Sequence, residues 1–350
     1  MPPSTYFKTL LRQIKNKRFV DFIEEYIAKT AFSKNYKARL RTTINIIKEF
    51  EKYTGKKIYT HSFTLFTSEK FVQFLIQKDL RNNTIRTCLL HTSSLLNKAR
   101  KENYPVQNEL PHLIPPKEIT TQVFLDMKEL QQLYQTHFEG QKAIIRDAFL
   151  LDCFLGLRKT DLQKLTPHNI LGNNFVFKKT EKTKENVVIP LHPLARQILV
   201  KYHYKIPDLK TIQNFNKQIK IICKEAGITT SILCEYFRGN KLIQELCPKY
   251  KLISYHTARR TLITNLYLDR IPLPTIMKIS GHKNITSVIL YIRMSDPMHR
   301  QALKNSVYLN PDTNTQISNP TSLQLDYRKN RKKSRNYHYY LNKLRTKKTA

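Results

Sequence analysis

Four residues between positions 256 and 291 combine a nucleophile with cationic and proton-carrying side chains. Tyr291 ends the segment Ser280–Tyr291, which also contains His282, and His256 and Arg259 lie a short way upstream. A tyrosine hydroxyl is a poor nucleophile at neutral pH because its ordinary pKa is about 10. It becomes effective when arginine and histidine side chains neutralise the anionic group that it attacks. On a strongly basic chain this combination indicates attack on a phosphodiester.

Two upstream segments add an arginine and a lysine to this set. Arg158 follows the almost continuously apolar run Ala143–Leu157. A guanidinium there is costly to bury unless it meets an anion or an internal carboxylate such as Asp161. Lys182 lies in the polar stretch between two β-rich runs, where a lysine can extend away from the sheet. Lys182 is therefore a second candidate cation for the site.

Helices and hairpins must position these residues. His256 and Arg259 are three residues apart and so share one face of a helix, and Gly281 is placed to end another. A further helix is predicted to begin at Pro297. Hairpins are predicted from Phe175–Phe177 with Val187–Ile189 and from Ser231–Phe237 with Lys241–Cys247, around Gly239-Asn240. Helices are predicted at residues 143–157, 256–268, 272–280 and 284–293.

The first hundred residues show helical periodicity throughout. Four helices are predicted between Phe19 and Tyr104, with Ser33 capping the second, the third starting at Ser68, and Asn83 or Thr84 opening the fourth. The prolines between 105 and 116 indicate an extended linker. The predicted organisation is a basic lead-in (1–16), a helical domain (17–104), a Pro-rich linker (105–119), a second domain (120–308) and a basic, disordered tail (309–350).

Composition indicates a polyanionic partner and a reducing compartment. Sixty-one Lys and Arg residues against 26 Asp and Glu residues give a net charge of +35, which suits nucleic acid. The five cysteines form no CxxC pair, so neither a disulfide framework nor a zinc ribbon is predicted. The sequence shows no apolar segment typical of a signal peptide or of a membrane span, which predicts a cytoplasmic, nucleoid-associated protein.

Together these residues resemble the tyrosine recombinases, the phage integrase family. The family pattern has an arginine in a G-L-R-x-x-[DE]-L box, a hairpin lysine, H-x-x-R, G-[HW], and a tyrosine nine residues further on. The matching positions are Arg158, Lys182, His256, Arg259, His282 and Tyr291. Residues 253–261 and 278–282 are similar to integrases of mobile elements of Bacteroidetes-type bacteria. The resemblance covers roughly residues 20–305, with order and final spacing both matching.

The resemblance implies a role for each matched residue. Tyr291 would form a 3′-phosphotyrosine with DNA, and Arg158 and Arg259 would clamp the phosphate oxygens. His256 would assist proton movement at the tyrosine, and His282 would hydrogen-bond the phosphate. Lys182 would protonate the leaving 5′-oxygen. By the same resemblance, Asp161 would orient Arg158 without touching the phosphate itself.

The resemblance also implies the fold and the partners. The fold would be mainly α and multidomain, with a four-helix SAM-like core-binding domain and an α+β catalytic domain carrying a small antiparallel sheet. The protein would integrate or excise a mobile element through a Holliday junction, with no cofactor and no metal. It would act on double-stranded DNA as a homotetramer on two sites and would be a monomer or a weak oligomer without DNA. No membrane partner is implied.

Single residues, and the chain as a whole, are also compatible with simpler roles. Arg158 could simply pair with Asp161, His256 could cap its helix, and Tyr291 could be a core tyrosine. Lys178, Lys179 and Lys184 lie close to Lys182, and only the K-T-[GK] form of the hairpin selects Lys182. A zinc site from Cys234, Cys247, His256 and His282 fits no standard ligand spacing. The competing functions are type IB topoisomerase-like relaxation of DNA and non-catalytic, architectural DNA binding.

Overall fold

The N-terminal part of the chain forms four helices, as predicted. The computed structural model describes residues 16–172, 174–209 and 211–292. The basic lead-in before residue 16, the tail, the predicted helix from Pro297 and the end of the second domain at 308 lie outside the described residues. The first four helices are α1 (Phe19–Lys29), α2 (Lys34–Thr54), α3 (Leu65–Gln77) and α4 (Asn82–Lys101).

An aromatic core holds α1 to α4 together. Phe19, Phe50, Phe63 and Phe71 are fully buried and meet one another edge-to-face or tilted, which adds to the free energy of apolar burial. Helix α2 begins as predicted, because the Ser33 hydroxyl accepts a hydrogen bond from the backbone of the first turn. The four helices therefore bury one common apolar face.

Two predicted helix starts were wrong by one to three residues. Helix α3 begins at Leu65 and not at Ser68, because the Thr64 hydroxyl accepts a hydrogen bond from Thr67 N. Helix α4 begins at Asn82, one residue before the earlier of the two predicted openings. The amide side chains at this end bind elsewhere: Asn83 Nδ2 donates to Glu118 O at 2.9 Å. This bond holds the linker against α4.

The second part of the chain is a layer of helices with two small antiparallel sheets, as predicted. Strands β2 (Phe175–Lys179) and β3 (Asn186–Pro190) pair, with Phe177 opposite Val188, and β1 (Ile170–Leu171) adds to the outer side of β2. Its helices are α5 (Met127–Gln135), α6 (Gly140–Leu155), α7 (Lys159–Gln163), α8 (Pro193–Lys201), α9 (Ile212–Glu225), α10 (Lys249–Leu252), α11 (Tyr255–Leu268), α12 (Leu273–Ser280) and α13 (Ile285–Ile289). Its strands are β1 (Ile170–Leu171), β2 (Phe175–Lys179), β3 (Asn186–Pro190), β4 (Ser231–Arg238) and β5 (Lys241–Pro248).

Helix α6 is the centre of this second part. Nearly every residue from Ile145 to Leu155 is buried, which agrees with the predicted buried helix. It ends at Gly156 with φ of +60°, where a Cβ atom would come within 2.6 Å of the Leu262 side chain on α11. A glycine is needed there for the backbone conformation and for the close approach of the two helices. The tight contact brings Arg158 next to α11.

The β4–β5 hairpin connects the second part of the chain to the first. Its turn lies at Gly239, as predicted. Gly239 N donates to Asn82 Oδ1 at 2.8 Å and Gly239 O accepts from Asn82 Nδ2 at 2.9 Å. The Arg81 guanidinium lies 3.7 Å from the centre of the Tyr236 ring, and Arg238 pairs with Asp79. None of the helices in the described part of the chain combines the length and the hydropathy that a membrane span needs.

Candidate active site

Arg259 is the most deeply buried cation of the site. Helix α11 begins with a capping box, in which Ser254 N donates to Thr257 Oγ1 at 3.0 Å. Arg259 lies in the second turn of this helix, and its residue exposure is only 2%. Its Nη1 donates to Gly156 O at 2.6 Å, and its Nη2 donates to Ser280 O. Arg259 therefore joins the ends of α6 and α12 to α11 and is held in one orientation.

A fully buried carboxylate lies behind Arg259. Asp152, on α6, has no exposed surface. Four polar atoms here are buried without a hydrogen bond of ordinary geometry: the two Asp152 oxygens, the Tyr255 hydroxyl and Arg259 Nε. The Asp152 carboxyl group nevertheless lies close enough to interact with Tyr255 and with the charge of Arg259. Burial raises the pKa of Asp152 to about 8, and the neighbouring Arg259 charge opposes that rise. Asp152 is thus an acidic neighbour of Arg259 inside the core, and it is mostly protonated at neutral pH.

Arg158 and Asp161 lie at the end of α6 and in the short helix α7. Arg158 is partly buried, and its Nη1 has no hydrogen-bond partner in the described part of the chain. One carboxylate oxygen of Asp161 accepts a hydrogen bond from Glu181 N at 2.9 Å, and the other is buried without a partner there. The bond formed by Asp161 therefore reaches the β2–β3 turn. Its role in orienting Arg158 stays a prediction.

His282 follows α12 and contacts Arg259. Ser280 Oγ donates to Ile276 O at 2.6 Å and lies 2.8 Å from His282 Nδ1. Both ring nitrogens of His282 lie near Arg259 Nη2, Nδ1 at 3.4 Å and Nε2 at 3.2 Å. Burial, followed by the charges of the two arginines, lowers the pKa of His282 to about 3, so the ring is neutral at pH 7.

Tyr291 lies beside both histidines and Arg259 of its own chain. Its ring centre is 5.0 Å from that of His282 and 6.0 Å from that of His256, and Arg259 Cζ is 5.7 Å from it. Helix α13 ends at Ile289, earlier than predicted, and the Thr264 hydroxyl donates to Tyr291 O at 3.1 Å. One polypeptide thus places Tyr291 beside two histidines and a buried arginine.

His256 is oriented toward the same space from the first turn of α11. The residue is exposed overall, while its ring packs edge-on to the Tyr291 ring and is partly shielded from solvent. This partial burial, and then the charges of Arg259, Arg260, Arg158 and Lys182, lower the pKa of His256. The ring is therefore neutral at neutral pH and can accept a proton.

Lys182 lies at the exposed turn between β2 and β3. It is close enough for its charge to act on His256. Lys178 Nζ donates instead to Lys164 O at 2.7 Å, and Lys184 has a backbone φ of +60°. Lys182 therefore contributes to the lowered pKa of His256, whereas Lys178 is bound to a backbone carbonyl.

The structure identifies three residues near the site to which the sequence analysis gave no role: Asp152, Ser280 and Thr183. Asp152 is the one charged residue between Ala148 and Leu155, which was a visible signal for it, and Ser280 directly precedes the Gly281-His282 pair. The only sequence signal for Thr183 was its position next to Lys182. Within the described ranges, no group of three His, Cys, Asp or Glu side chains could hold a metal ion.

Comparison with known proteins matches this chain to one family. A model described as the phage integrase family matches residues 123–298, and one described as the phage integrase SAM-like domain matches residues 18–118. Tyrosine recombinase XerC of Bacillus subtilis strain 168 is 24% identical over 301 residues, covering 81% of this chain and 94% of the relative. XerC of Staphylococcus carnosus strain TM300 is 22% identical over 256 residues, covering 71% and 82% respectively.

Solved structures share the fold. An integrase of the transposon Tn1549, in complex with a circular intermediate DNA, has a TM-score of 0.61 at 15% identity and covers 83% of this chain and all of that one. A lambda integrase dimer bound to a COC′ core site has a TM-score of 0.60 at 15% identity, covering 82% and 80%. At this identity the likeness concerns the fold alone.

Proposed function

The chain belongs to the phage integrase family of tyrosine recombinases, and we propose that it cleaves and rejoins specific DNA sites through a covalent tyrosine intermediate at Tyr291. The observation that carries this proposal is the position of Tyr291 beside His256, His282 and Arg259 of its own chain. A tyrosine that served only to fill the core would need neither two neutral histidines nor a buried arginine around it.

In the proposed cleavage step Tyr291 Oη attacks the phosphorus of one DNA strand. A bond forms between Oη and phosphorus, and the bond from phosphorus to the 5′-oxygen breaks. The tyrosine proton passes to His256, whose lowered pKa leaves it neutral and able to accept it. Lys182 supplies a proton to the departing 5′-oxygen. Attack by a 5′-hydroxyl on the phosphotyrosine reverses these steps, so rejoining needs no nucleotide cofactor.

Arg158 and Arg259 would stabilise the charge that develops on the phosphate oxygens. Guanidinium groups suit this task because they donate two parallel hydrogen bonds and stay protonated. Arg158 Nη1 is buried and has no partner within the described chain, so its hydrogen-bonding capacity is unused there. Arg259, fixed by two carbonyl oxygens, supplies a preorganised charge. His282 would add a hydrogen bond to the phosphate, and Asp161 would hold Arg158 in place.

The proposed partner is double-stranded DNA, bound by a homotetramer on two sites. A net charge of +35 favours a polyanion, and phosphate contacts would make the affinity fall steeply with salt. A structure with the same fold is described as a lambda integrase tetramer bound to a Holliday junction. By analogy, four protomers of this protein would exchange strands through such a junction, to integrate or excise a mobile element. The protein would act in the cytoplasm, on the nucleoid.

Covalent capture on a nicked DNA site tests the nucleophile. DNA flanking the mobile element supplies candidate sites, and a nick next to the scissile phosphate lets the cleaved end diffuse away and traps the adduct. We expect the wild-type protein to form an SDS-resistant protein–DNA complex and Tyr291→Phe to form none.

Tyr267→Phe is the matched control, because Tyr267 is exposed on α11 outside the site. It should form the adduct at the wild-type rate. An adduct formed by Tyr291→Phe, or none formed by the wild type on any flanking site, would refute the assignment. Relaxation of supercoiled DNA by a monomer without a specific site would favour the topoisomerase-like alternative.

A further inference from the structure

The turn that carries Lys182 is held by hydrogen bonds on both sides of the lysine. On one side, Glu181 N donates to Asp161 Oδ1 at 2.9 Å. On the other, Thr183 Oγ1 donates to Gly281 O at 3.2 Å. Lys182 itself is exposed between these two anchored neighbours. The turn is thus attached to the element that follows Arg158 and to the element that precedes His282.

The Thr183 bond is the end of a continuous hydrogen-bonded chain. Glu185 N donates to Thr180 Oγ1 at 3.2 Å, and Thr180 Oγ1 lies 2.7 Å from Thr183 Oγ1. The Thr180 hydroxyl has two possible acceptors, Thr183 Oγ1 at 2.7 Å and Glu185 O at 3.2 Å. Its proton goes to Thr183, because that distance is shorter and Glu185 O already accepts from Thr180 N. Each hydroxyl has one proton, so Thr183 is left to donate to Gly281 O. This sequence of donors fixes the direction of the Thr183 hydroxyl.

The turn also packs directly against the backbone of Gly281. A Cβ atom at Gly281 would lie 3.0 Å from Val187 Cγ1 and 3.4 Å from Thr180 Cγ2. Gly281 has φ of +64°, a conformation that favours glycine. The missing side chain therefore lets the hairpin approach closely enough for Thr183 to reach the carbonyl oxygen. The arrangement fixes the distance between Lys182 and the His282 element.

We propose that Thr183 is a positioning residue for Lys182, holding its ammonium group at the leaving 5′-oxygen through the bond to Gly281. This inference rests on the proposed function, in which Lys182 is the general acid. It explains why Lys182 takes this role on a turn with several lysines. Only Lys182 stands between the two anchored residues, whereas Lys178 is bound to Lys164 O.

A leaving group that departs without a proton distinguishes a variant with a misplaced general acid from a variant with a damaged fold. Single-turnover cleavage is measured on nicked DNA with either the normal 5′-oxygen or a 5′-bridging sulfur at the scissile phosphate. A sulfur leaving group is stable as the thiolate, so it departs without a general acid. We expect Thr183→Val to slow cleavage of the oxygen substrate about 10- to 100-fold, as for a displaced catalytic group, and to leave the sulfur substrate near the wild-type rate.

Three variants complete the experiment. Thr183→Ser keeps the hydroxyl and should restore most of the rate on the oxygen substrate. Lys182→Ala should show the same selective loss as Thr183→Val. Thr136→Val loses a threonine-to-carbonyl bond on the exposed end of α5, remote from the turn, and should cleave both substrates normally.

The outcomes distinguish this inference from the proposed function. If Lys182→Ala is rescued by sulfur but Thr183→Val is slow on both substrates, or normal on both, the positioning role is refuted and the general acid stands. If sulfur does not rescue Lys182→Ala, the general-acid assignment fails and the role of Thr183 fails with it. If Tyr291→Phe still forms the adduct, the proposed function itself is wrong.

Discussion

The two sides of the candidate active site are built in different ways. The arginine side consists of Arg259, Asp152 and the ends of three packed helices, and it is almost closed to solvent. The lysine side is an exposed turn between two short strands, attached by the Asp161 and Thr183 bonds. The first side is rigid because it belongs to the core. The second depends on a small number of hydrogen bonds at the surface.

Because of this contrast, some substitutions should harm folding while others should harm only the chemistry. On the arginine side a charge is buried with its partners, so removing one leaves the others unpaired in a medium of low dielectric constant. On the lysine side both the ammonium group and the turn remain hydrated. We therefore expect stability and catalysis to be linked on the arginine side and separable on the lysine side.

Arg259→Ala should have the largest effect. It removes a charge proposed to contact the phosphate and leaves Asp152 and two carbonyl oxygens without their cation. We expect cleavage to slow by about 10³-fold and the free energy of unfolding to fall by about 3 kcal/mol. Single-turnover cleavage and urea denaturation measure the two effects. Arg196→Ala, which breaks a bond to Asn174 between β1 and β2, should change neither strongly. A fully stable but inactive Arg259→Ala would contradict the proposed linkage.

Lys182→Ala should affect only the chemistry. With the normal oxygen leaving group we expect a loss of about 10²-fold in cleavage rate. The free energy of unfolding should stay within about 0.5 kcal/mol of the wild type, because the side chain is exposed. Lys179→Ala, on the adjacent strand, is the matched control and should cleave normally. A large loss of stability in Lys182→Ala would show that the turn is part of the core after all.

Asp152→Asn should have the smallest effect, visible in the pH dependence of stability. The folded pKa of about 8 lies above the ordinary value of 3.8, so the folded protein keeps a proton that the unfolded chain has already released. The contribution of Asp152 to the free energy of unfolding has its full value below pH 3.8 and is lost as the pH rises through 8. We expect the wild type to lose up to about 1.4 kcal/mol per pH unit between pH 6.5 and 8, and Asp152→Asn to lose less.

The pKa of His282 sets the pH range in which this last measurement is made. Its folded pKa of about 3 lies below the ordinary 6.5, so its contribution is complete above pH 6.5 and declines as the pH falls. Below pH 6.5 the two groups therefore act in opposite directions and mask each other. Chemical denaturation at several pH values between 6.5 and 8 avoids this overlap, and equal slopes for the wild type and Asp152→Asn would exclude an ionising Asp152.

Most of the fold could be predicted because periodicity and turn residues report local structure. The buried helix α6, both hairpins and the helix carrying His256 and Arg259 were confirmed within a few residues. The start of α4 was wrong, since Asn82 and Asn83 bond to distant backbone atoms and not to their own helix. Helix α13 ends early, at Ile289, where its residues are mostly β-branched, which weakens helix propensity.

The residue types of the site and their order along the chain are properties of the sequence alone, and they identify the family. His256 and Arg259 meet because helical spacing places them on one face, which is a local property. Packing between distant segments placed Asp152 beside Arg259, joined Asp161 to the Lys182 turn and brought Thr183 to Gly281. Those pairs join elements far apart in the chain, and burial and packing set their distances and charges, which no local pattern records.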